Sequence, residues 1–179
     1  MKKEKLKALI IAAVLAALTC VATIIIQIPS PMNGYVNLGD AIVLYCAFCL
    51  SPLYAAAAAG IGSALADIIT GYAYYAPGTF VIKAAMALVA AVIFNKMKEK
   101  HEFTGLIAGS FAAEAIMVTG YFGYACLLLG KGLAAAASIP GNLFQAAVGL
   151  VAAIAVYKLM PQKAKNFRIT KKSAAAQQQ

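Results

Sequence analysis

Histidine is almost missing from this chain: His101 is the single one, and it falls in a lysine-rich stretch far from Cys20, Cys46, Cys49 and Cys126. Cys46 and Cys49 form a C-x-x-C, but no second cysteine pair or neighbouring histidine completes a metal site. All four thiols lie in apolar segments and are expected to be buried and inert. Catalytic templates are missing as well. There is no G-x-S-x-G, no H-E-x-x-H and no G-x-x-x-x-G-K-[ST] to cradle a nucleotide phosphate. The sequence therefore predicts neither an enzyme nor a metal or cofactor site, and no ATPase of its own; uphill movement of a solute would draw on an ion gradient or on a partner. Charge is scarce too, at 12% of residues, with six acidic groups against fifteen basic ones.

What fills the chain is apolar. Hydrophobic residues make up 63% and the mean hydropathy is +0.83, with runs far longer than a core helix needs, which marks an integral membrane protein. A spanning helix takes about 20 residues, so 179 residues hold one small domain of about six spans and no soluble catalytic domain. The expected fold is an all-α bundle of six transmembrane helices.

The net charge of +9 would suggest nucleic acid in a soluble protein, but its distribution argues otherwise. Thirteen of the fifteen basic residues sit in three places: Lys2, Lys3, Lys5 and Lys7; Lys96, Lys98 and Lys100; and Lys158, Lys163, Lys165, Arg168, Lys171 and Lys172. Positive segments stay cytoplasmic. Both termini and the mid-chain loop, with His101, are therefore expected inside the inner membrane of a prokaryote, with an even number of spans on each side of that loop.

The spans are expected at about 6–28, 39–50, 52–71, 79–95, 103–129 and 140–160, within a membrane domain of 1–172 followed by a disordered tail at 173–179. Pro29, Pro31 and Gly34 break the first run and open an outer loop; Ser51 and Pro52 suit an N-cap and first turn. The second run is short, about 18 Å of helix against a core of about 30 Å. Merging it with the third would leave an odd count before the basic loop, so it is kept as a separate span that starts within the loop or in a thinned region. The lysine-led first run looks like a signal segment, but it lacks a convincing small-residue cleavage site and is expected to be retained.

Four ionisable residues lie inside or at the rim of these runs: Asp40, Asp67, Lys83 and Glu114. Each costs a few kcal/mol at mid-bilayer, so each is a candidate functional residue. Asp67, four residues before Gly71, and Lys83, four after Thr79, both fall about 6 Å below the outer surface, which makes them an expected pair. Asp40 stands at the outer end of the second span, either contacting a ligand or capping the loop beside a helix start. Glu114 is deeper, either protonated and structural or a proton relay.

Helical spacing gives the facing. Gly60, Ala64, Asp67 and Gly71 share one side of the third helix, where small residues admit close neighbours. Ser110, Glu114, Met117 and Tyr121 share a side of the fifth; Asn142, Gln145 and Gly149 share a side of the sixth. The outer loops add Asn33, Tyr35 and Asn37, then Tyr72, Tyr74 and Tyr75. Convergent amides, aromatics and charges suit a small planar polar ligand, although loop anchoring and an aromatic belt account for any one of these residues alone.

The stretch Asn33-Gly34-Tyr35-Val36-Asn37-Leu38-Gly39-Asp40-Ala41, then Gly60-Ile61-Gly62-Ser63-Ala64-Leu65-Ala66-Asp67, then Gly71-Tyr72 and Tyr75-Ala76-Pro77-Gly78-Thr79-Phe80 with Lys83, closely resembles the substrate-capture (S) subunits of energy-coupling factor (ECF) vitamin transporters. The likeness is to the riboflavin-transporter-like branch, which includes pyridoxine and hydroxymethylpyrimidine proteins. It implies six helices with both ends cytoplasmic, an outward pocket capped by the first loop, and a partnership with a transmembrane coupling subunit and two ATP-binding subunits. It also implies a docking face of small residues on the first helix, for which Ala8, Ala12 and Ala16, with Ala13 and Ala17 beside them, keep the spacing; packing within the bundle is the competing role. Expected ligand residues are Tyr35, Asn37, Asp40, Asp67, Tyr72, Tyr75, Lys83, Glu114, Asn142 and Gln145. The alternatives are a self-sufficient ion-coupled carrier that uses Glu114, and a membrane assembly factor without a ligand. Sequence alone does not choose the vitamin.

Overall fold

A computed structural model describes residues 2–30 and 34–160. Asn33, the basic residues from Lys163 onward and the expected tail at 173–179 lie outside the described residues.

The chain runs α1 (Lys2–Ile25), β1 (Gln27–Ser30), β2 (Gly34–Asn37), α2 (Gly39–Cys49), α3 (Pro52–Ile69), α4 (Ala76–Met97), α5 (Glu102–Gly123) and α6 (Ile139–Leu159). A π-helical turn, Tyr124–Leu128, extends α5, and a 3-10 segment, Gly132–Ser138, leads into α6. Between them Gly130 and Gly132 have φ of 66° and 54°, left-handed conformations that glycine adopts readily. Among the described residues, five helical stretches are long and apolar enough to cross a membrane, and α2 is a shorter apolar helix.

Helix ends follow local chemistry. Pro29 disfavours helix at Ile28, so α1 stops at Ile25, and the following residues pair as an antiparallel hairpin, Gln27 opposite Asn37 and Ser30 opposite Gly34. The expected irregular outer loop is thus partly a two-stranded sheet. α4 begins at Ala76 rather than Thr79, because Pro77 suits a first turn. Ser51 precedes Pro52 in extended conformation, but its hydroxyl makes no capping hydrogen bond.

The short α2 is the centre of the bundle. Ten of its eleven residues are buried, all but Ile42, and it packs against α1, α3, α4 and α6. A helix that is apolar all round belongs inside; its eleven residues are short because they need only cross the core of the protein. Phe48 of α2 meets Phe94 of α4 at 5.1 Å and Tyr157 of α6 at 5.7 Å between ring centroids, filling the half away from the hairpin. On α1, Leu9, Ile10, Val14, Leu18 and Val21 face outward, the side that lipid would cover.

Candidate functional site

A polar pocket lies under the hairpin, at the end of the bundle where α1 finishes and α4 begins. α1 contributes Thr23, the hairpin Ser30, Gly34, Tyr35 and Asn37, α3 Ser63 and Asp67, and the α3–α4 loop Tyr75. Thr79 and Lys83 come from α4, Tyr121 from α5, Ser138 from the 3-10 segment, and Asn142 and Gln145 from α6. The empty volume is about 570 Å³, part of it open at the mouth.

Seven expected ligand residues line this space: Tyr35, Asn37, Asp67, Tyr75, Lys83, Asn142 and Gln145. Tyr72 stands behind Tyr35, ring centroids 4.7 Å apart. Asp40 and Glu114 are not part of the lining. Asp40 is completely buried at the pocket floor, and Glu114 is buried with both carboxyl oxygens lacking a hydrogen-bond partner. Gly149 is the close neighbour of both: a Cβ there would stand 2.9 Å from Asp40 Cβ and 3.0 Å from Glu114 Oε1. Glycine at this position lets α6 approach the two acids.

The pairing differs from expectation. Lys83 Nζ donates to Asp40 Oδ1, not to Asp67, and lies 5.3 Å from the centroid of the Tyr121 ring. Gln145 Nε2 donates to the other Asp40 oxygen, while Gln145 Oε1 accepts the Asn37 backbone N–H at 2.8 Å. Asp40 therefore does not cap α2. That part is taken by Asn37, whose Oδ1 accepts the Gly39 N–H at 2.8 Å. Asp67 is held instead by the Tyr35 hydroxyl, which donates to Oδ1. Burial, with the Asp67 carboxylate beside it, pushes the Tyr35 phenol up, so Tyr35 keeps its proton and remains the donor. The physical reason for the exchange is the burial of α2: its first turn lies inside the bundle, within reach of the Lys83 amine.

Sequence reasoning left out Thr23, Ser30, Ser63, Thr79, Tyr121 and Ser138 as ligand residues. Four of them had a visible signal. Ser63 and Thr79 each precede a chosen charge, Asp67 and Lys83, by one helical turn, and Tyr121 follows Glu114 by two, which puts each on the same face. Thr23 follows Thr19 by one turn on an apolar helix, and both hydroxyls satisfy themselves on carbonyls four residues back.

The expected docking alanines lie toward the inner side of α1. Ala8 and Ala12 are buried, and the Ala16 carbonyl lies where a side chain on Gly62 of α3 would have to go. At Ala16, therefore, α1 packs closely on α3, made possible by a glycine that lets the backbones touch. Ala13 and Ala17 are the exposed ones.

The sequence profile of the family described as ECF-type riboflavin transporter, S component, matches residues 3–162. The chain belongs to that family. A protein of Pyrococcus woesei, described only as an uncharacterized protein in a gap 3' region, is 33% identical over 132 residues, which are 73% of this chain and 86% of that protein. A solved structure of the S component of a bacterial ECF transporter shares the fold, with a TM-score of 0.66 at 23% identity, over 86% of this chain and 95% of the other. As an S component, the chain is a prokaryotic membrane protein and the substrate-capture subunit of an ECF transporter, which works with ECF transporter partners and takes a vitamin-type ligand. Neither expected alternative, the self-sufficient carrier or the ligand-free assembly factor, agrees with this membership.

Proposed function

We propose that the chain captures a vitamin or related small planar molecule, of the riboflavin, pyridoxine or hydroxymethylpyrimidine type, in the pocket beneath the hairpin. It delivers the molecule to a transmembrane coupling subunit driven by two ATP-binding subunits. The observation that carries this is the pocket itself: hydroxyl, amide and carboxyl groups from α1, the hairpin, α3, α4, α5 and α6 converge on one empty space. Two of these groups, Ser63 Oγ and Asp67 Oδ2, are buried without a hydrogen-bond partner, and such a group costs free energy until something satisfies it.

The pocket faces outward and both termini are inside. In support, the lysines in the first turns of α1 and those at the end of α4 and between α4 and α5 lie at the end of the bundle away from the pocket, and positive segments favour the cytoplasm. The family description names riboflavin, which makes it the first ligand to try. The test is native mass spectrometry of the purified full chain, followed by thermal unfolding with riboflavin, pyridoxine and hydroxymethylpyrimidine. A co-purifying heterocycle, or a rise in melting temperature with one of the three, is expected. No bound molecule and no shift with any of them would overturn the proposal.

A further inference from the structure

We infer that the captured molecule presents a hydrogen-bond donor or a positive charge, in the form of an amine, a hydroxyl or a protonated ring nitrogen, to Asp67, and that the site disfavours carboxylated and phosphorylated ligands. This rests on the capture function proposed above and specifies the chemistry of the ligand. The cation in the pocket, Lys83, is already engaged, since its amine donates to Asp40 and its other neighbour is the Tyr121 ring. An anionic ligand would have to share that amine with Asp40, a completely buried carboxylate that also accepts from Gln145.

Asp67 is in the opposite condition. It is 3% exposed and lines the pocket. Tyr35 donates to Oδ1, and Thr79 stands beside the carboxylate, yet Oδ2 has no partner. Ser63, one turn before it and also lining the pocket, has an unpartnered hydroxyl oxygen as well. A buried carboxylate oxygen without a donor is costly, and a charge-assisted bond from a ligand relieves that cost.

The surrounding charge points the same way. Among the described residues, Asp40 and Asp67 are buried acids whose one buried amine, Lys83, is bound to Asp40. Lys131 lies near the rim, its amine donating to the Tyr75 hydroxyl at 3.1 Å, so these amines already serve protein oxygens while Asp67 Oδ2 has no partner. A ligand that brings positive charge or donors is complementary to such a site, and one that brings a further negative charge is not.

One ring with three charges tests this. Pyridoxamine, pyridoxine and 4-pyridoxic acid differ at a single ring carbon, which carries an aminomethyl, a hydroxymethyl or a carboxylate group. Riboflavin and flavin mononucleotide give a second series, without and with a phosphate. Affinities are measured by calorimetry on the purified full chain. The amine or alcohol is expected to bind at least about tenfold more tightly than the acid, and riboflavin about tenfold more tightly than its phosphate. In Asp67→Asn the preference for amine over acid should shrink. If that variant does not fold, the wild-type series decides alone. Equal or tighter binding of the acid or the phosphate overturns the inference and leaves the capture function standing. Failure of both series to bind overturns the two together.

Discussion

Lys83 of α4 donates to Asp40 of α2 at the pocket floor, and the two side chains are 3% and 0% exposed. Breaking a buried pair by removing one partner leaves an uncompensated charge, at a cost of about 3–5 kcal/mol. Lys83→Met should accordingly lower the melting temperature of the detergent-solubilised protein steeply. Adding Asp40→Leu should recover part of that loss, since both charges are then gone. A double variant whose loss equals the sum of the single losses would show that the two residues do not interact.

Asn37 joins the hairpin to the first turn of α2, accepting the Gly39 N–H on its side chain and giving its own N–H to Gln145. Asn37→Ala removes only the first of these bonds. The expected cost is about 1 kcal/mol, as for a lost helix cap, with faster hydrogen exchange at Gly39. Unchanged exchange there would count against the capping role.

Glycine holds two helix contacts that cannot accept a methyl group. At Gly149 an added Cβ meets Asp40 and Glu114, and at Gly62 it meets the Ala16 carbonyl. Gly149→Ala and Gly62→Ala should each cost about 1–3 kcal/mol through overpacking. Thermal unfolding reads this directly, and variants as stable as the parent would mean that the helices are not packed so closely.

Glu114 has no hydrogen bond to lose. Glu114→Gln keeps its shape and removes an acidic group close to Asp40, so the melting temperature should stay level or rise. A fall of several degrees would reveal a carboxylate with a structural partner.

The six helices were legible because hydropathy and the lysine clusters constrain a membrane chain tightly. The short second run was legible as an oddity and not as what it is, the buried centre of the bundle, since a length does not say what surrounds a helix. The convergence of Tyr35, Asp67, Lys83, Asn142 and Gln145 could be read from depth along each helix. The partner of Lys83 could not. Asp67 and Asp40 were both near the expected outer end, and the choice turns on helix rotation and on how far α2 sits inside. The alanines of α1 posed the same difficulty, because Ala8, Ala12 and Ala16 run beside Ala13 and Ala17, and only packing against Gly62 distinguishes the inner stripe from the outer one. The hairpin was hidden by its shortness, two strands of four residues each, below the length at which alternation becomes a signal.

Six of the nine tyrosines, Tyr35, Tyr72, Tyr74, Tyr75, Tyr121 and Tyr124, form one connected set of rings around the pocket mouth, and the chain contains no tryptophan. The ultraviolet emission of this protein therefore originates largely around this pocket. An absorbing heterocycle seated there would quench that light by energy transfer, so the unlabelled protein carries its own optical reporter of occupancy.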